Sequence, residues 1–132
     1  MLTLPIQWGD QDALGHVNNV VYFRWFESAR IEYFRQLGRG GLMSNVGVGL
    51  ILASIKCDFR RQLTFPDTLQ ISASIVSIGR TSLRMVHRVY STALAAVAAE
   101  GDSYVVLFDY AQQRPVPVPD DVRQAIDAFE RR

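Results

Sequence analysis

Ten consecutive residues, "DQDALGHVNN" (10–19), hold two carboxylates, one imidazole and three amides around a glycine. A carboxylate such as Asp12 serves as nucleophile or general base when it lies beside a bound electrophile. If a helix begins just after the stretch, its first N–H groups point back into the same space. There they stabilise developing negative charge or polarise a carbonyl. Carboxylate, imidazole and helix N-terminus together describe an acyl-transfer or hydration site. A second reading fits the same residues. Asp10 and Asp12 are then turn and solvation residues, His16 a structural hydrogen-bonder and Asn18 a helix cap.

The helix this chemistry needs is written into the next residues. Tyr22, Phe26, Ala29, Tyr33 and Leu37 recur at steps of three and four, which predicts an amphipathic helix of about five turns. Asn18 is placed to cap it and Gly38 to stop it. Glu27 lies on the stripe Val20, Phe23/Arg24, Glu27, Ile31, where it either pairs with a neighbouring arginine or faces a pocket. Before the loop, Leu2–Trp8 alternates as a first strand. After the helix, "GRGGLMSNVGVG" is a connector holding five of the nine glycines.

The rest reads as strands. "LILASIKCDFRRQLTF" ends at the Pro66–Asp67 turn signal, "TLQISASIVSI" alternates as far as Ile75, and "SLRMVHRVYS" follows a tight turn at Gly79–Arg80. "ALAAVAAEGDSYVVLFD" is Ala-rich at first, but its β-rich end favours one long strand with a bulge at Gly101. "RPVPVPD" breaks the sheet, and "DVRQAIDAFERR" predicts a short terminal helix with Val122, Ile126 and Phe129 on one face. One domain over 1–132 is expected, α+β, with a long central helix wrapped by a five-stranded, mostly antiparallel sheet. The sheet's other face lacks a full cover, which association with a second copy would supply.

Composition narrows the classes. With 48% hydrophobic and 20% charged residues, the chain is globular rather than disordered. A net charge of +1 excludes a global nucleic-acid-binding field. Cys57 is the single cysteine, so neither an intramolecular disulfide nor a multi-cysteine zinc site can form, and no metal is expected. No apolar run reaches membrane-spanning length. A soluble, cytoplasmic protein is the expectation. P-loop, GxGxxG and nucleophile-elbow motifs are missing. Arg60–Arg61 and the run Arg80, Thr81, Ser82, Leu83, Arg84 put basic groups at strand ends, either as phosphate contacts or as edge protection. His87, on a strand, reads as structural.

The segment "DQDALGHVNNVVYFRWFESAR" resembles the signature of hotdog-fold acyl-CoA thioesterases of the 4-hydroxybenzoyl-CoA thioesterase-like group. The resemblance implies a hotdog domain and hydrolysis of an acyl-CoA or acyl-carrier-protein thioester. Coenzyme A would then be part of the substrate and no separate cofactor would be needed. Asp12 takes the place of the catalytic carboxylate, and the Asn19 backbone N–H that of the carbonyl-polarising group. Glu27 matches an acidic helix position facing the site, and His16 joins the catalytic set. Gly49 corresponds to a pocket glycine contributed by the other subunit of a homodimer, or of a homotetramer of two dimers. Arg80, Thr81 and Ser82 match a turn contacting the coenzyme's phosphates, with Tyr22 and Arg60 also assigned to substrate binding. Two related patterns fit less well. Plant-type acyl-carrier-protein thioesterases share "HVNN" but carry Asn where Leu14 stands. Hotdog hydratases space their Asp and His by four residues before an Asn-Pro, whereas Asp12 and His16 are separated by three. A non-catalytic acyl-CoA-binding module and an enoyl-CoA hydratase remain the competing classes.

Overall fold

The chain alternates short rigid turns with long strands in the computed structural model, which describes residues 1–131. Strand β1 (Leu2–Pro5) gives way to a 3₁₀ turn at Trp8–Asp10, then to the polar loop and helix α1 (Asn19–Gln36). The expected first strand thus stops three residues early. The Asp10 carboxylate takes the Gln7 N–H at 2.9 Å and locks the chain into the 3₁₀ turn instead. Asn18 caps α1 by accepting the Val20 N–H at 3.0 Å, and Gly38, at φ +79°, follows its last turn. Strands β2 (Val48–Phe59), β3 (Thr68–Ile78), β4 (Ser82–Ser91), β5 (Ala96–Asp109) and β6 (Arg114–Pro115) follow, then helix α2 (Asp120–Glu130).

All pairings are antiparallel, in the order β1-β3-β4-β5-β2. The sheet has six strands rather than five. Two-residue β6 pairs with Phe108 and Asp109 of β5, so "RPVPVPD" extends the sheet before breaking it. Gly101 makes no bulge either, since it pairs in register with Cys57 and His87. Register shifts fall elsewhere, at Leu52/Ser54, Ile75/Ser77 and Val89/Tyr90. Gly101 is needed for contact: a Cβ there would lie 2.6 Å from the Phe26 ring. The Ala-rich start is divided, with a turn before Ala96 and Ala95 at φ +52°.

Helix α1 lies on one sheet face, burying Tyr22, Trp25, Phe26, Ala29, Tyr33 and Phe34. Leu83, Met85, Val89, Val105 and Leu107 meet it from the sheet. Fully buried Phe26 and Phe34 each contribute ~2–3 kcal/mol of hydrophobic stabilisation. Helix α2 covers the part of β3 that β1 does not reach. Its Glu130 carboxylate accepts the Tyr33 hydroxyl at 2.6 Å and the Ile75 N–H at 3.2 Å. At the sheet's other margin β2 is a free edge, with Val48, Ile51, Leu52 and Phe59 each about two-fifths exposed.

Candidate active site

The loop between β1 and α1 is closed on itself by backbone bonds. Asn18 N–H reaches the Asp10 carbonyl at 2.9 Å, Asp12 N–H the His16 carbonyl at 2.8 Å, and Gly15 N–H the Asp12 carbonyl at 3.1 Å. These bonds separate the two carboxylates. Asp10 is buried and fully engaged, by Gln7 N–H and by Arg24 Nη2 at 3.2 Å. Asp12 is exposed and uses only Oδ1 locally, accepting the Leu14 N–H at 2.9 Å.

Asp12 lines a cavity of about 330 Å³ together with Leu14, His16, Val17, Asn19, Tyr22, Phe59, Arg60, Arg61 and Gln62. The start of α1 forms its floor. Asn18 takes up the Val20 N–H with its side chain and the Val21 N–H with its carbonyl. Asn19 N–H forms no such bond within the described residues and is left as the donor at the helix N-terminus. A carboxylate and a free, dipole-aligned N–H therefore border one space. That arrangement can hold a carbonyl at the N–H while a base or nucleophile approaches its carbon.

The cavity wall is aromatic. Tyr22 and Phe59 meet edge to face at 4.9 Å, and Tyr22 meets Trp25 at 5.0 Å. Burial, and then nearby Cys57, push the Tyr22 hydroxyl up to about 12, so it stays a neutral donor. Burial, and then Asp58, push Cys57 up to about 11, which keeps its thiol protonated and poorly nucleophilic. Arg60 stands at the rim, its Nε 3.4 Å from Glu100. No cluster of three or more His, Cys, Asp or Glu side chains suited to a metal ion occurs among the described residues.

Asp12, His16, Asn19, Tyr22 and Arg60 are thus brought together. Glu27, Gly49 and the Arg80–Ser82 turn are not, within one chain. Glu27 is exposed two turns along α1, about 12 Å from Asn19 at 1.5 Å per residue. Gly49 and Ser82 stand opposite Phe108 and Val106, at the end of the sheet remote from Phe59. Gly49 is confined by its own chain, since a Cβ there would collide with the Ser44 carbonyl oxygen. Arg61, noted in the sequence beside Arg60, joins the cavity residues, whereas spacing alone missed Leu14, Val17, Phe59 and Gln62. The wall after Phe59 reaches the loop through Val17 N–H to Leu63 O, at 2.8 Å. No local pattern links those two positions.

One central helix clasped by a curled antiparallel sheet makes this a hotdog domain. The chain belongs to the thioesterase-like superfamily, whose sequence profile matches residues 6–126. A thioesterase from Thermus thermophilus, solved with coenzyme A and Zn, is 32% identical. It superposes with a TM-score of 0.84 over 99% of this chain and 94% of that one. A gentisyl-coenzyme A thioesterase is 25% identical with a TM-score of 0.84, over 95% and 98% of the two chains. The protein YsmA of Bacillus subtilis (strain 168) is 32% identical over 82 residues. Those residues are 62% of this chain and 54%, about half, of that protein.

Proposed function

We propose that the protein hydrolyses an acyl thioester, carried by coenzyme A or an acyl carrier protein, to the free acid and thiol. The observation that carries this reading is the shared cavity of the Asp12 carboxylate and the free Asn19 N–H. The thioester oxygen rests on that N–H, where the α1 dipole favours the charge that grows as the carbonyl is attacked. Asp12 either takes a proton from the attacking water or attacks the carbon itself, forming a mixed anhydride that water then hydrolyses to the free acid and the regenerated carboxylate. On either path the C–S bond breaks and the thiolate leaves as a protonated thiol. His16 lines the same cavity, which supports a role for it in exchanging that proton. Tyr22 and Phe59 shape the acyl side, and Arg60 the rim where an anionic carrier would pass.

The rest of the site comes from a second copy. Strand β2 is a free edge with apolar residues exposed, and antiparallel self-pairing about its midpoint, between Ala53 and Ser54, sets 49 against 58 and 48 against 59. That register carries Gly49 of the partner subunit to the Phe59 end, beside the Asp12 cavity. The partner's Arg80, Thr81 and Ser82 stand at the same end of its sheet and approach from that side, where basic and hydroxyl groups suit coenzyme A phosphates. Glu27 turns to the same boundary. A homodimer is the minimum unit of this scheme, and stacking through the outer sheet face would make a homotetramer.

Free-thiol release over a panel of aliphatic and aromatic acyl-CoAs tests the reading, with Asp12→Asn as control. The variant should fold as the wild type and lose ~10²-fold or more in turnover. Near-wild-type turnover removes Asp12 from the chemistry. Tight binding without thiol release by the wild type makes the protein an acyl-CoA carrier.

A further inference from the structure

Helix α2 reaches the turn between β3 and β4 through one side chain, Arg123. Its Nη2 donates to the Gly79 carbonyl at 2.7 Å and to the Arg80 carbonyl at 3.4 Å, and its Nε to the Val118 carbonyl at 3.3 Å. The Val118 N–H donates to the Arg80 carbonyl as well, at 2.8 Å, and the Leu107 N–H to that of Thr81 at 2.8 Å. Three successive carbonyls of the turn are thus held by the protein's own donors. A planar guanidinium suits the position, because its fixed fork serves carbonyls in several directions at once.

The consequence lies on the opposite side of the same peptides. A trans peptide points its C=O and N–H in opposite directions, and the peptides of this turn are trans. The Gly79 carbonyl shares its peptide with the Arg80 N–H, and the Arg80 carbonyl with the Thr81 N–H. Drawing both carbonyls toward Arg123 therefore turns both N–H groups away from it. Neither N–H forms a hydrogen bond among the described residues. Successive free N–H groups in a turn make a concavity that takes an anion. A cation on the carbonyl side polarises each peptide further in that sense. Arg80 is exposed and enters none of the ion pairs among the described residues, so its guanidinium is available to the same anion.

We infer that Arg123 is a positioning residue for phosphate binding: it presents the Arg80 and Thr81 N–H groups to a phosphate of the thioester's carrier. The inference rests on the reading that sets the Arg80–Ser82 turn against that carrier, and adds what shapes the turn for it. A phosphate group is common to coenzyme A and to the phosphopantetheine arm of an acyl carrier protein. Docking of α2 does not depend on Arg123, since Val122 and Ile126 bury themselves to 5% and 1% exposure. Loss of the guanidinium should therefore free the turn without releasing the helix.

Calorimetric binding of coenzyme A, 4′-phosphopantetheine and pantetheine tests this in the wild type, Arg123→Gln and Arg123→Lys. Arg123→Gln should raise the Kd of coenzyme A about tenfold and leave that of pantetheine, which has no phosphate, unchanged. An equal loss for 4′-phosphopantetheine places the bound phosphate on the arm that both carriers share; no loss there places it on the nucleotide. In acyl-CoA turnover the KM should rise by the same factor while kcat stays within about twofold. Arg123→Lys keeps the charge without the planar fork, should show a smaller loss, and carries the test if Arg123→Gln does not fold. Pantetheine weakened as much as coenzyme A, or an unchanged Kd for coenzyme A, makes Arg123 a structural residue and overturns the inference. So does a wild type that binds coenzyme A no better than pantetheine. A wild type that shows the Arg123 effect on coenzyme A binding yet releases no thiol overturns the hydrolase reading alone.

Discussion

Asp10 and Asp12 are chemically identical, and their spacing in the sequence gives no reason to choose between them. The fold chooses, because Asp10 falls in the 3₁₀ turn and spends both oxygens on Gln7 N–H and Arg24. Asp12, two residues on, keeps Oδ2 free at the cavity. Opposite variant behaviour follows. Asp10→Ala strands the Gln7 N–H and loosens the loop, costing ~1–3 kcal/mol, so thermal unfolding should move down and turnover with it. Asp12→Asn should spare the unfolding temperature and remove turnover. The ion pair itself adds little to Asp10's effect, since the Arg24 side chain is 69% exposed. The loop side of the cavity was therefore legible as residue types before a helix. On the other side the Arg60–Arg61 pair was legible, but not that Phe59 and Gln62 would join it, because tertiary bonding through Val17 and Leu63 brings that wall there.

At the level of elements, β3 and β4 span the very segments "TLQISASIVSI" and "SLRMVHRVYS" read as strands, although the alternation in the first stops at Ile75, where the register shifts. Ambiguity entered where one residue type serves two physical purposes. Glycine inside a strand signals either an extra residue or a close approach, and Gly101 is the second, lying under the Phe26 ring. Gly101→Ala should therefore push Phe26 off its stack on His87, now 5.0 Å apart at 13°. The cost is about 1–3 kcal/mol, as for other overpacked cores, readable as a lowered midpoint in urea unfolding. Strand β6 escaped detection because two residues, one of them proline, carry no periodicity.

Across the whole molecule, hydrophobic packing is divided into two clusters along α1, one around Phe26 and Ile71, the other around Phe34 and Met85. Arg30, His87 and Ser103 are buried polar residues of this core. Burial, and after it the Arg30 charge, hold His87 down at about 4, so it is neutral in the folded protein. In the unfolded chain it titrates near ~6.5. The unfolded state thus binds more protons below that value, and stability is full above pH ~6.5 and falls as pH drops toward 4. About 2 kcal/mol should disappear between pH 7 and 5. Thermal unfolding over that range should show the loss in the wild type and a flatter profile in His87→Leu. The uncovered sheet face was legible in the sequence, whereas the position of β2 at the edge follows from strand order and not from any local pattern.

The clasp of α2 on β3, through Glu130, Tyr33 and the Ile75 N–H, has a protective sense beyond its contribution to packing. Beyond Ile71, β3 has β4 on one side only, and an uncovered stretch of backbone there would offer foreign chains a template for strand addition. The last turn of α2 holds that margin with a carboxylate, an acceptor that no incoming strand can imitate at the same time. The molecule thus leaves the β2 border open and shields the stretch of β3 that β1 does not reach.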